Sequence, residues 1–271
     1  MAISRRSTLS LRAVALLYLT VLLLLPVGVV FARTFEHGFG TAWNWITTPA
    51  AVSALWLTIL VAAIAVPLNT IFGIGAALVL VRGKTRGRKL LDSLLDLPFM
   101  VSPVIIGLSL ILVYGETGWL GKWFTNHGIR IIYATPGIVL ATVFVSLPFV
   151  VREVAPVLTE IGDEQEQAAA TLGASRWQTF WRITLPSIRW GVAYGVVLTT
   201  ARALGEIGAV LVVSSNVPGS TLTLPLLVYQ RDSQIGSQNV TGAYAAATEL
   251  AVMSIVVLLA MTLIGRRKDK A

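Results

Sequence analysis

The chain has 271 residues, of which 55% are hydrophobic and only 13% charged, whereas an ordinary soluble domain carries roughly a quarter charged residues; a membrane protein is therefore the first reading. The net charge is +8, but the basic residues cluster between apolar segments rather than along one polar helix, which argues against a nucleic-acid partner. With no cysteine, disulfides, thiolate metal sites and cysteine nucleophiles are excluded, and the two histidines, His37 and His127, stand far apart as loop residues.

A helix crosses the hydrocarbon in about 20 residues, because it rises about 1.5 Å per residue and pairs every backbone group internally. Six runs meet that requirement, at residues 13–32, 52–81, 94–114, 134–151, 190–213 and 243–265. The first follows Arg5, Arg6 and Arg12, yet its apolar core is too long for a signal peptide and "VVFAR" offers no small-x-small cleavage site, so it reads as a retained anchor. In the second, "GIGAAL" at 73–78 imitates a dinucleotide fingerprint, but it ends in leucine inside an apolar span, where glycines serve close helix contact. "RGKT" at 82–85 lacks the earlier glycine of a phosphate loop, since position 78 is Leu78. The third span contains "DLPFMVSPVIIG", with Pro98 and Pro103 close together; this predicts either a broken helix lining a cavity or a packing kink.

The charges between spans set an orientation. Arg5, Arg6 and Arg12, then Arg82, Lys84, Arg86, Arg88 and Lys89, then Arg152, Arg176, Arg182 and Arg189, and finally Arg266, Arg267, Lys268 and Lys270 fall in every second connection, hence on one side of the spans, and make up most of the 21 basic residues. Short cytoplasmic loops hold such an excess, so both termini are expected in the cytoplasm. Trp43, Trp45, Trp56, Trp119, Trp123 and Tyr133 fall near the opposite boundaries, where amphipathic rings favour the headgroup layer, although loop packing is an equal alternative. No soluble domain or internal repeat interrupts the chain, which reads as one membrane domain over residues 1–271. No H-E-x-x-H or G-x-S-x-G motif is present, and neither a metal site nor an enzyme is expected.

The connection at 152–189 is the one long cytoplasmic loop, and it reads as two short helices. Glu153, Glu160, Asp163, Glu164 and Glu166 suit the positive amino end of a helix, Ala168, Ala169 and Ala170 propagate it, and Gly173 breaks it. Beyond the break, Trp177, Phe180 and Trp181 recur at helical spacing, and Pro186 closes the segment. That apolar stripe must be covered, by the membrane surface, by neighbouring loops, or by a partner with a groove.

The segment "EQAAATLGASRWQTFWRITLP" resembles the EAA loop of the membrane subunits of bacterial ATP-binding-cassette importers. Gln167, Ala168, Ala169, Gly173, Ile183, Leu185 and Pro186 occupy its pattern, with Gln167 where the family has Glu and Glu166 beside it. The likeness extends through "LDLPFMVSPVIIGL", "FVSLPFVVREVAPVL" and "LPSIRWGVAYGVVLTTARALGEIGAV", stretches similar to the W-type permease of sulfate/thiosulfate importers. The resemblance implies an all-α, six-span type I importer permease in a bacterial inner membrane. It implies two ATPase subunits that use ATP and Mg, a second related permease forming a heterodimer, and an extracytoplasmic sulfate-binding protein, with no cofactor on this chain. Permeases of the same class for molybdate, tungstate or phosphate are alternatives, and a gradient-driven transporter is a more distant one.

The fifth span carries "TTARALGEIGAV", with Arg202 and Glu206 in an apolar run. Arg202 stands about 12 residues in, roughly 18 Å at helical rise, near mid-membrane. A charge there costs roughly 2.5–3.5 kcal/mol on insertion scales, so it must be paired, wetted or both. Four residues apart, the two share a helix face and can pair. Either the pair braces two spans, or it lies beside the translocation path, where Arg202 draws in an anion and Glu206 keeps binding modest. Asp96 and Glu249 are further interior or boundary candidates, and Ser102 offers a hydroxyl.

Overall fold

The computed structural model describes residues 12, 14–83, 87–234 and 237–267; Arg5, Arg6, Lys84, Arg86, Lys268 and Lys270, on which part of the charge reading rests, lie outside them. The described chain is helical, with no strand. Among the described residues four helices are long and apolar enough to cross a membrane: α1 (Val14–Phe35), then, after α2 (Phe39–Ile46), α3 (Pro49–Arg82), and further along Thr135–Ile161 and Asn239–Met261. A bent pair, α4 (Arg88–Met100) and α5 (Pro103–Tyr114), which meet at 113°, is apolar enough to make a fifth as one broken span. The short α6 (Gly121–Asn126) leads to α7 (Thr135–Ile161). The connecting loop holds α8 (Glu164–Thr171) and α9 (176–187), the latter with a π-helical turn at Phe180–Thr184. After it come α10 (Arg189–Leu204), α11 (Gly208–Val213), α12 (Leu224–Ser233) and α13 (Ser237–Arg267).

The centre of the bundle is α7, packed between α3 and α10. Glycines let the three approach: a Cβ on Gly73 of α3 would lie 2.6 Å from Val150 Cβ, and one on Gly195 of α10 would lie 2.9 Å from Val150 Cα. Small residues at such crossings exchange side-chain bulk for backbone contact, the main source of helix association in an apolar medium. A buried polar tie adds to it, because Asn69 Nδ2 on α3 donates to Ser146 Oγ at 2.8 Å and to Val143 O at 3.1 Å on α7. Apolar side chains gather in two main clusters. One, including Ile138, Val145, Val210, Leu224 and Leu226, lies toward the end that carries α12; the other, including Leu80, Leu95, Val151, Leu158 and Ile188, lies beneath the 162–189 loop. Helix α1 stands outside this core with its apolar side chains exposed, and Thr34 Oγ1 joins it to Thr248 Oγ1 of α13 at 2.7 Å.

Two expectations change in detail. The fourth span does not stop at residue 151, since α7 runs on to Ile161 and carries Arg152, Glu153 and Glu160 as helical residues; only the acids from Asp163 onward belong to the loop helix. The 190–213 span is not one helix but two pieces, interrupted at 205–207. The Trp45 ring packs within the protein, under the Arg231 guanidinium, 4.9 Å from the ring centroid, and over Gly242, as the loop-packing alternative has it. Arg231 is itself buried and donates to Gly242 O and Thr48 Oγ1, each at 2.9 Å; burial lowers its pKa and the charge of Glu249 opposes that shift. Trp43, Trp56, Trp119, Trp123 and Tyr133 are exposed.

Candidate coupling and translocation sites

The loop site is built from two helix ends. Helix α8 finishes in a Schellman arrangement: Ala174 N–H donates to Ala169 O at 3.0 Å, Gly173 N–H donates to Ala170 O at 3.1 Å, and Gly173 has φ +83°. That left-handed conformation suits glycine, which carries no Cβ to collide with its own backbone. Two residues later Ser175 opens α9 with a capping box, its Oγ accepting from Gln178 N–H while Gln178 Oε1 accepts from Ser175 N–H. The result is a rigid corner rather than a linker. It presents Leu172, 88% exposed, with Trp177 and Trp181 also exposed, and an open cleft of about 220 Å³ bordered by Leu172, Gly173, Gln178, Thr179 and Ile183.

Glu166 ties this corner to the bundle. Its Oε2 accepts from Arg82 Nε at 3.1 Å, at the end of α3, and its Oε1 accepts from Thr184 Oγ1 at 2.9 Å, in the π turn of α9. Arg82 also donates to Gly162 O. Gln167 and Ala168 are exposed while Ala169 is buried, and it is Glu166, not Gln167, that makes the charged contact to the bundle. Leu185 packs on the cluster beneath the loop, Ile183 is half-buried, and Pro186 is exposed.

The second site lies where two spans are interrupted side by side. Ser102 precedes Pro103, and a residue before proline is driven from helical to extended backbone; Val101 (ψ 136°) and Ser102 (ψ 135°) are extended, and the helix restarts at Pro103. The other break, at 205–207, contains no proline. There Glu206 Oε1 accepts from Ala209 N–H at 2.9 Å, satisfying an amide at the start of α11 as a capping side chain does. The two breaks touch, for a Cβ on Gly208 would lie 2.9 Å from Pro103 Cβ, and one on Gly107 would lie 2.8 Å from Ala209 O.

Arg202 and Glu206 pair as expected, Nη1 to Oε2 at 2.6 Å, but across a helix end rather than along one face. The contact is an ion pair without hydrogen-bond alignment at Oε2. The carboxylate side chain is 1% exposed and the guanidinium 30%, so the positive group alone meets the surface. Asp96 belongs elsewhere: its Oδ1 accepts from Arg152 Nε at 3.0 Å, and Arg152 Nη1 reaches Asp92 Oδ1 at 2.9 Å, clamping α4 to α7. Ser102 is exposed at the start of α5. Sequence reasoning did not find Arg82, Thr184 or Arg152 as partners, nor Ala209 as the amide that Glu206 holds. Among the described residues no three His, Cys, Asp or Glu side chains gather as metal ligands would.

Long apolar helices around a glycine-packed centre, two interrupted spans and a capped, exposed loop corner define a polytopic importer permease. The chain belongs to the family of binding-protein-dependent transport system inner membrane components, whose model matches residues 69–270. It is 50% identical over 255 residues to the sulfate transport system permease protein CysW of Synechocystis sp., covering 94% of this chain and 91% of that one. The sulfate transport system permease protein CysT of the same organism is 38% identical over 248 residues, covering 91% and 87%. The crystal structure of a bacterial alginate ABC transporter, in complex with its alginate pentasaccharide-bound periplasmic protein, contains a chain of the same fold: TM-score 0.80 at 19% identity, over 97% of this chain and 95% of that one.

Proposed function

We propose that this chain is one of two membrane subunits of an ATP-driven importer that carries sulfate or thiosulfate into the cytoplasm of a bacterium. The observation that carries the reading is the 50% identity, over nearly the whole chain, to a sulfate permease of the W type. A T-type permease with a related sequence in the same organism supports a heterodimer of two such chains. Residues 1–271 act as one permease unit with both termini in the cytoplasm, and a separate sulfate-binding protein delivers the anion on the opposite face.

Hydrolysis belongs to a pair of ATPase subunits that use ATP and Mg, since this chain carries no nucleotide cradle. Glu166, Gln167, Ala168, Ala169, Gly173, Ile183, Leu185 and Pro186 form the coupling corner. When ATP draws the ATPases together the corner moves with them, and Glu166 passes the displacement to α3 through Arg82. A switch of this kind needs two discrete states that partners favour differently. Arg202 lies beside the path, where its exposed guanidinium raises the potential for a dianion. Glu206 holds half of that charge in check so that the anion can leave, because transport requires release as well as entry. Ser102 offers a hydroxyl donor at the neighbouring break, and Asp96 acts as a brace on Arg152.

Reconstitution in liposomes with the other importer subunits tests the reading. Labelled sulfate should enter only with the binding protein and ATP together; uptake indifferent to ATP would remove it.

A further inference from the structure

Beside the fifth-span break lies a small space of about 10 Å³, about the room one water requires. Four buried oxygen-bearing side chains line it: Thr58 of α3, Thr142 of α7, Glu206 of the break, and Thr223, which immediately precedes α12. Thr223 Oγ1 has no hydrogen-bond partner within the chain, and Glu206 Oε2 has the ion-pair contact with Arg202 but no hydrogen bond. A buried hydroxyl without a partner is destabilising. The other two hydroxyls are already committed as donors, Thr142 Oγ1 to Ile138 O at 2.9 Å and Thr58 Oγ1 to Ala54 O at 2.8 Å, and Thr58 also accepts from Leu224 N–H at 2.8 Å. Thr142 therefore retains free lone pairs for one more donor.

From this arrangement we infer that the space is a binding site for a single water molecule, held by Glu206, Thr223 and Thr142. The water accepts from the Thr223 hydroxyl and donates to Glu206 Oε2 and Thr142 Oγ1, which gives it the three bonds typical of a buried water, satisfies the Thr223 hydroxyl and adds a hydrogen bond to the ion-paired carboxylate. A monovalent cation is the competing occupant of an all-oxygen cell. Arg202 Nη1, 2.6 Å from the same carboxylate oxygen, disfavours it, since a second cation would meet a like charge at contact. The water joins three elements at one point: α7, the break and the start of α12. Its bonds re-form at little cost when the groups shift, whereas direct side-chain bonds would lock the break. This assignment is independent of which solute the permease carries.

Substitution at Thr223 separates a wet cell from a dry one by sign. Valine has the shape of threonine without the hydroxyl, and Thr223 makes no side-chain cap to α12, so no other hydrogen bond is lost. With the water present, Thr223→Val in the assembled importer should lower the thermal unfolding midpoint by about 2–4 °C, and Thr223→Ser should restore it. An unchanged or raised midpoint in the valine variant would overturn the assignment, because removing an unpartnered hydroxyl from a dry cell costs nothing. A density map of the wild-type complex, at a resolution that shows waters, should place a peak within hydrogen-bond distance of Glu206, Thr142 and Thr223. A midpoint that rises with sodium, relative to choline at equal ionic strength, would overturn it in favour of a cation.

Discussion

Glu206→Gln separates the two roles open to the mid-membrane pair. The amide oxygen of glutamine can still accept from Ala209 N–H, so the start of α11 keeps its cap, while Arg202 loses its counter-charge. An unpaired arginine at membrane depth costs about 2.5–3.5 kcal/mol; with the Arg202 side chain 30% exposed, about 2.5 kcal/mol is the expected loss. For a chain of this size that lowers the unfolding midpoint of the complex by about 5–10 °C. Adding Arg202→Met removes the orphaned charge, and replacement of a whole buried pair is often close to neutral, so the double variant should return to within about 1 kcal/mol of the parent. Differential scanning fluorimetry of the complex and labelled-sulfate uptake in liposomes are measured on the same three preparations. If Arg202 serves the path, the double variant is stable yet transports at less than a tenth of the parental rate. A double variant that is stable and transports normally would show the pair to be a brace and would remove Arg202 from the translocation path.

Gly173→Val places a β-branched residue at φ +83°, at a cost of about 1–3 kcal/mol, and should abolish co-purification of the ATPase while membrane insertion, read by protease protection, is unchanged. Gly195→Leu would drive a Cβ to 2.9 Å from Val150 Cα; since backbone cannot step aside, the yield of folded, monodisperse protein in size-exclusion chromatography should fall several-fold. Glu166→Ala removes the Arg82 contact and the Thr184 hydrogen bond. It should leave ATPase bound but uncouple it, raising ATP hydrolysed per sulfate moved; Glu166→Gln, which can still accept from Thr184, should be the milder of the two.

The helices were legible in the sequence because apolar runs of membrane length have few other readings, and the sharp bend was legible because Ser102 stands before Pro103. Gly173 was equally readable as a helix end, since it follows an alanine run, whereas the Ser175–Gln178 capping box emerged only from the structure. The break at 205–207 was not, for it depends on a carboxylate taking a backbone amide and on Pro103 packing against Gly208 from another span. The length of α7 was hidden for a related reason: Arg152 reads as a loop charge until Asp92 and Asp96 approach it from α4. Trp45 and Trp43 are indistinguishable by position, and only the long-range arrival of Arg231 draws one of them inward. At the coupling corner, the bonds of Glu166 to Arg82 and Thr184 were hidden because both partners arrive from distant positions in the chain.

Docking of the 172–186 corner on an ATPase can be tested directly because the chain has no cysteine of its own. Leu172, at 88% exposure, is replaced by Cys and labelled in membranes with a maleimide that carries a photo-cross-linker. Irradiation of the assembled importer should join this chain to the ATPase subunit, with labelling prevented by a blocking reagent on the cytoplasmic side. An adduct confined to lipid or to the binding protein, or a thiol blocked only from outside the cell, would contradict it.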